Sequence, residues 1–137
     1  MPRLTGVIET AIDVRDLAAA VAFYHGVLGL EIIDRSERLC AFSIAGRDVL
    51  LLFQREVAAQ AVDTPGGRIP PHGSSGSIHF AFSLDPGDLP QWEQLLAAKG
   101  IPVEGRVKWE RGGTSLYFRD PDGHLVELAT PGLWSIY

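Results

Sequence analysis

The sequence predicts an α+β fold built from two β-α-β-β-β modules. Three observations carry that expectation: the order of strand and helix signals over residues 6–53 is restated over residues 77–131, the stretch between them is rich in Pro, Gly, Ser and Ala, and the length suits one core. With 137 residues and 46% hydrophobic content, a second independent domain would be too small to stabilise itself. The expected organisation is therefore a single domain. Module one covers about residues 6–53, a crossover 54–76, module two about 77–131 and a tail 132–137.

Residues Val7 to Val14 alternate, with Ile8, Thr10, Ile12 and Val14 on one face and Glu9, Ala11 and Asp13 on the other, as a half-buried strand requires. Asp16 is placed to cap a helix whose apolar positions Leu17, Val21, Tyr24 and Leu28 recur at spacings of four, three and four before Gly29. Strands follow around Glu31–Asp34, Leu39–Ile44 and Val49–Phe53, the last two joined by a turn containing Gly46. The grammar restarts at Ser77, with Ile78, Phe80, Phe82 and Leu84 against His79, Ala81 and Ser83. Asp88 is expected to cap a second helix with Leu89, Trp92 and Leu96 as its stripe, Gly100 as its stop and Pro102 beyond. Strands at Val103–Val107, Thr114–Phe118 and His124–Ala129 complete the module, and Asp120-Pro121-Asp122-Gly123 suits a type I turn between the last two. One helix per module leaves one sheet face for another use. The crossover, from Gln54 to Gly76, has little periodicity and reads as a functional loop or linker.

Charge and cysteine usage narrow the function classes. Twelve Lys and Arg against seventeen Asp and Glu give a net charge of -5, which disfavours nucleic acid and anionic membrane as partners. The lone Cys40, between Leu39 and Ala41, reads as a packed thiol and fits a reducing cytoplasm. No apolar run suits a signal peptide or membrane span, so a soluble cytoplasmic protein is expected.

Strand parity places three polar side chains on the face away from the helices. Glu9 and His79 match in register when the two opening strands are superimposed, and Glu127 stands on the final strand between core-facing Val126 and Leu128. Two carboxylates and an imidazole among apolar neighbours suit a divalent cation. The same parity also suits solvated side chains or a Glu paired with an Arg, because alternation fixes the face and not the separation.

A resemblance sharpens this choice. Glu9-Thr10-Ala11-Ile12-Asp13-Val14-Arg15-Asp16-Leu17 with Phe23-Tyr24 and Val27-Leu28-Gly29-Leu30, the strand Gly76–Phe82, and Leu116-Tyr117-Phe118-Arg119-Asp120-Pro121-Asp122-Gly123-His124-Leu125-Val126-Glu127-Leu128 together resemble the vicinal oxygen chelate superfamily of glyoxalases, bleomycin-resistance proteins and extradiol dioxygenases. The resemblance implies that the modules form a cupped mixed sheet around a metal that chelates two neighbouring oxygens of a small molecule. It maps the ligands to Glu9, His79 and Glu127, and implies a homodimer. Many members carry His or Gln where Glu9 stands. Glyoxalase I proteins use a further acidic ligand on the last strand of module one, where this chain has Val49-Leu50-Leu51-Leu52-Phe53. The missing positions would fall to water and substrate. Two carboxylates cancel the charge of a divalent cation (Zn, Ni, Mn, Mg or Fe), which favours Lewis-acid lyase or isomerase chemistry over ring cleavage. Glu9 could alternatively act as a base, joining Glu127 and Tyr117 as catalytic candidates.

Ser115, Tyr117 and Arg119 share a face expected to look towards the same centre, with Tyr117 as donor to a bound oxygen or simply a packed aromatic. A comparable tyrosine stands in fosfomycin-resistance transferases of that superfamily, whose basic phosphonate clamp has no evident counterpart here. Tyr117, Ser115, Trp109, Arg111, Phe53 and His72 are the substrate-binding candidates. Trp109 and Arg111 would otherwise flank a hairpin and His72 be a surface histidine. His25 and His124 are expected to be exposed at a helix end and a turn. The apolar tail Leu133-Trp134-Ser135-Ile136-Tyr137 calls for packing on its own domain or a partner subunit. The competing functions are an extradiol-type dioxygenase and a metal-free, bleomycin-resistance-like small-molecule binder.

Overall fold

Strand β1 (Glu9–Val14) opens the fold, with Ile12 and Val14 almost wholly buried while Val7 and Ile8, expected in the strand, precede it as exposed residues. The computed structural model describes residues 1–3, 6–73 and 76–137, so Leu4, Thr5, Ser74 and Ser75 lie outside the described residues. The chain divides into two units, Met1–Gly76 and Ser77–Tyr137.

In the first unit the Asp16 carboxylate accepts a hydrogen bond from the Ala19 amide at 3.0 Å, capping helix α1 (Leu17–Val21) as its sequence predicts. The helix then widens into a π-helical turn over Ala22–Val27, which the apolar spacing did not indicate, and Leu17, Val21, Tyr24 and Leu28 remain buried. Strands β2 (Glu31–Arg35), β3 (Leu39–Ile44) and β4 (Asp48–Gln54) complete a sheet of order β1-β4-β3-β2, with β1 and β4 parallel. Ala45 and Gly46, both at positive φ, turn β3 into β4. Cys40, Phe42, Leu50 and Leu52 form the buried face with α1, and Cys40 is fully enclosed. The crossover is more ordered than its composition suggests. It forms a 3-10 turn (Val57–Ala59) and a hairpin of β5 (Val62–Thr64) and β6 (Gly67–Ile69), closed by the Thr64 hydroxyl donating to the Gly67 carbonyl at 2.6 Å.

The second unit repeats the topology: β7 (His79–Ser83), helix α2 (Leu89–Ala98), β8 (Gly105–Lys108), β9 (Thr114–Arg119) and β10 (Leu125–Ala129) form a sheet of order β7-β10-β9-β8, with β7 and β10 parallel. Asp88 does not cap α2. A 3-10 turn (Pro86–Asp88) precedes the helix, and Asp85 accepts from the Gly87 amide at 2.8 Å, because Pro86 already starts the helical path. Leu89 and Leu96 are buried, Trp92 half-buried, and Gly100 ends the helix at positive φ. The Asp120–Gly123 turn closes with Gly123 N–H donating to the Asp120 carbonyl at 3.0 Å, and the Asp120 carboxylate accepts from the Asp122 and His124 amides. His124 is not exposed: it is 2% accessible, and its Nδ1 accepts from the Ile78 amide at 3.0 Å, joining the β10 turn to the entry of β7.

The tail folds back on this unit through the Tyr137 hydroxyl, which donates to the Ala129 carbonyl at 2.8 Å, and through Gly113 against Gly132. A Cβ on Gly113 would stand 2.7 Å from the Gly132 carbonyl carbon. Trp134 and Ile136 stay largely exposed.

Candidate metal and ligand site

The two units share a register. Glu9 pairs with Val49 across β1 and β4 as His79 pairs with Leu125 across β7 and β10, so each is the first residue of an edge strand. Two residues further along the inner strand stand Leu51 in one unit and Glu127 in the other. Leu51 is thus the counterpart of Glu127, and β4 supplies no second acid there. The neighbouring strands differ likewise: Ala41 faces Leu51 where Tyr117 faces Glu127. The repeat is one of backbone, with the polar groups concentrated in the second unit.

There, His79 Nδ1 lies 3.0 Å from the Leu125 carbonyl and Nε2 lies 3.1 Å from Glu127 Oε2. A carbonyl oxygen only accepts, so Nδ1 carries a proton, and Nε2 is left facing a carboxylate oxygen, as an ion-pair donor when the ring is protonated and as a lone pair when it is neutral. In the neutral form the two atoms are both acceptors, and a cation beside them would take the place of the Nε2 proton. Fixing a histidine through Nδ1–H to a backbone carbonyl is also how metal-binding imidazoles are commonly oriented.

Glu127 is held from its other oxygen. The Ser115 hydroxyl donates to Oε1 at 2.5 Å and accepts from the Trp109 indole N–H at 2.8 Å. Ser115 is fully buried and Glu127 nearly so, whereas the His79 side chain is 49% accessible. A desolvated carboxylate with one oxygen satisfied and the other beside an imidazole nitrogen offers a cation two ligand atoms side by side. The ring of Tyr117 stands 6.0 Å from that of His79. Its phenol is raised above the ordinary 10.0, first by burial and then by the negative charge of Glu127, while the Ser115 hydroxyl opposes the shift, so it is a proton donor at neutral pH.

Arg111 is exposed near the tip of the β8–β9 turn, and Arg119 is occupied by Glu104 at 3.0 Å and by the Gly123 carbonyl. His25, exposed as expected, has Nδ1 2.8 Å from the Leu30 carbonyl.

In the first unit, Glu9, Phe53 and His72 come together around a cavity of about 410 Å³. His72 meets Phe53 edge-on at 4.8 Å between ring centroids, and its amide donates to the Ala58 carbonyl at 2.7 Å, which draws the crossover over the sheet. The Glu9 carboxylate has no hydrogen bond or ion pair among the described residues. Among the described residues of either unit, no three His, Cys, Asp or Glu side chains cluster as a complete metal site.

Residues 6–128 match the family profile described as Glyoxalase/Bleomycin resistance protein/Dioxygenase superfamily. A crystal structure of lactoylglutathione lyase from Agrobacterium tumefaciens is 37% identical, covers 98% of this chain and 99% of its own, and superimposes with a TM-score of 0.88. The metallothiol transferase FosB of Bacillus licheniformis is 30% identical over 93% of this chain and 77% of its own length, and that of Staphylococcus epidermidis is 32% identical over 93% and 82%.

Proposed function

The chain belongs to the glyoxalase/bleomycin resistance protein/dioxygenase superfamily, and on that premise we propose that it is a divalent-metal-dependent, glyoxalase-like enzyme performing Lewis-acid chemistry on a small molecule with two adjacent oxygens. The observation that carries this reading is the tethered His79 imidazole presenting Nε2 to the buried Glu127 carboxylate. Glu9 is the third ligand in this proposal, supported by its position in the strand that repeats β7 and by its unpartnered carboxylate. The metal would polarise a substrate oxygen.

The chain's own groups do the rest. Ser115 and Trp109 hold the Glu127 carboxylate through Oε1 so that Oε2 faces His79, and the protonated Tyr117 phenol donates a hydrogen bond to a substrate oxygen. Glu9, as ligand or displaced from that role, is the group available to take a proton from substrate carbon. The cytoplasm is the proposed compartment, consistent with the buried free thiol of Cys40. Among the described residues, no helix is long and apolar enough to cross a membrane. A homodimer is proposed from the exposed Trp134 and Ile136 of the tail.

A second reading, thiol transfer to a small electrophile, is favoured by the relatives named metallothiol transferase. The test is to reconstitute chelator-treated protein with single divalent metals and to assay hemithioacetals of 2-oxoaldehydes, thiol plus epoxide, and catechols. Metal-dependent turnover without oxygen uptake supports the proposal, and thiol consumption selects its second form. Oxygen uptake with a catechol, or turnover indifferent to metal, rejects both.

A further inference from the structure

The face of the first sheet away from α1 is apolar where a solvated face would be polar. Leu39, Leu51 and Phe53 project from β3 and β4 on this side, and the crossover sets Val57, Val62 and Ile69 around the same cavity. These side chains leave about 410 Å³ unfilled, room for a ring or branched chain. Two charges line this space: Glu9, and Arg38, whose guanidinium reaches the Val57 carbonyl at 3.5 Å and has no acidic partner among the described residues. If Glu9 is committed to a metal, Arg38 is the one cationic side chain of the lining left to read a ligand's charge.

We propose that this cavity binds a hydrophobic monocarboxylate, its hydrocarbon body against the Leu51, Phe53 and Ile69 side chains and its carboxylate at Arg38. The assignment rests on the metalloenzyme reading for the role of Glu9, and it names the class of substrate. Ile69 lies on β6, so the crossover hairpin is a specificity wall: its apolar side chains are what a polar substrate would fail to satisfy.

The test is calorimetric titration of chelator-treated protein with phenylbutanoate, phenylbutanol and phenylbutylamine, probes that share a body and differ in charge. The acid should bind about five-fold more tightly than the alcohol, the size expected for a partly exposed ion pair. Arg38→Gln should abolish that preference without weakening the alcohol, and Arg38→Lys should retain most of it. Glu9→Gln should tighten the acid by removing a like charge, while Ile69→Asp should weaken acid and alcohol alike. Equal binding of acid and alcohol, preference for the amine, or no saturable binding overturns the proposal. Metal content of the untreated protein is read separately. A protein that selects the acid but never holds metal would sink the enzyme reading alone, and one that holds metal without selecting the acid would sink this assignment alone.

Discussion

Replacing Ser115 by Ala removes one oxygen from a fully buried position and should be felt well beyond its size. The Ser115 hydroxyl spans two groups, donating to Glu127 Oε1 at 2.5 Å and accepting from Trp109 Nε1 at 2.8 Å. A hydrogen bond to a charged group contributes about 1.5–3 kcal/mol, and the buried Glu127 has little water to replace it. The half-exposed indole can find water, so its loss adds little. We expect Ser115→Ala to lose about 2 kcal/mol in urea denaturation of the metal-free protein. Metal affinity, measured by competition with a chromogenic chelator, should fall by about ten- to a hundred-fold, as when other orienting partners of a ligand are removed. Trp109→Phe keeps the bond from Ser115 to Glu127 and should cost under about 1 kcal/mol. Wild-type metal affinity in Ser115→Ala would refute the idea that this hydroxyl steers Glu127.

Other expectations follow from the same geometry. Gly113→Ala forces a Cβ to within 2.7 Å of the Gly132 backbone, so it should destabilise the second unit by about 1–3 kcal/mol and release the tail, seen as faster hydrogen exchange at the Gly132, Leu133 and Trp134 amides. The Cys40 thiol is raised above 9.0, chiefly by burial. Above that pH the unfolded chain releases the proton while the folded chain keeps it, so stability falls as pH rises. The slope is at most about 1.4 kcal/mol per unit, and Cys40→Ala should lack it in unfolding curves at pH 8 and 10. Tyr117→Phe should leave metal binding intact yet lower kcat, and should remove a late-titrating phenol from the ultraviolet absorbance titration.

Alternation and capping made most of the fold legible. Leu39–Ile44 is a strand with the bounds read from sequence, Asp16 caps α1, and Glu127 lies on the strand face that parity assigns it. The misreadings have local causes. Asp88 looked like a cap because it precedes the apolar stripe, but Pro86 had already begun the helical path under Asp85. The short strands of the crossover hairpin, three residues each, are too brief to show a period. His124 looked exposed because it follows a turn, whereas its burial comes from bonding the Ile78 amide, which is 46 residues distant. The tether of His79 to Leu125 was invisible for a related reason: its acceptor is a backbone carbonyl, present at every residue, and only the parallel pairing of β7 with β10 chooses which. Ser115 and Trp109 stood out in the sequence as substrate contacts, and their engagement with Glu127 depends on the antiparallel register of β9.

The central claim is the metal, and elemental mass spectrometry of the purified chain beside folded Glu9→Ala, His79→Ala and Glu127→Ala variants tests it most directly. The account predicts a near-stoichiometric divalent metal in the wild-type protein and its loss from all three variants. No divalent metal even after reconstitution, or full occupancy in the His79 and Glu127 variants, would contradict it and leave a metal-free small-molecule binder as the better description.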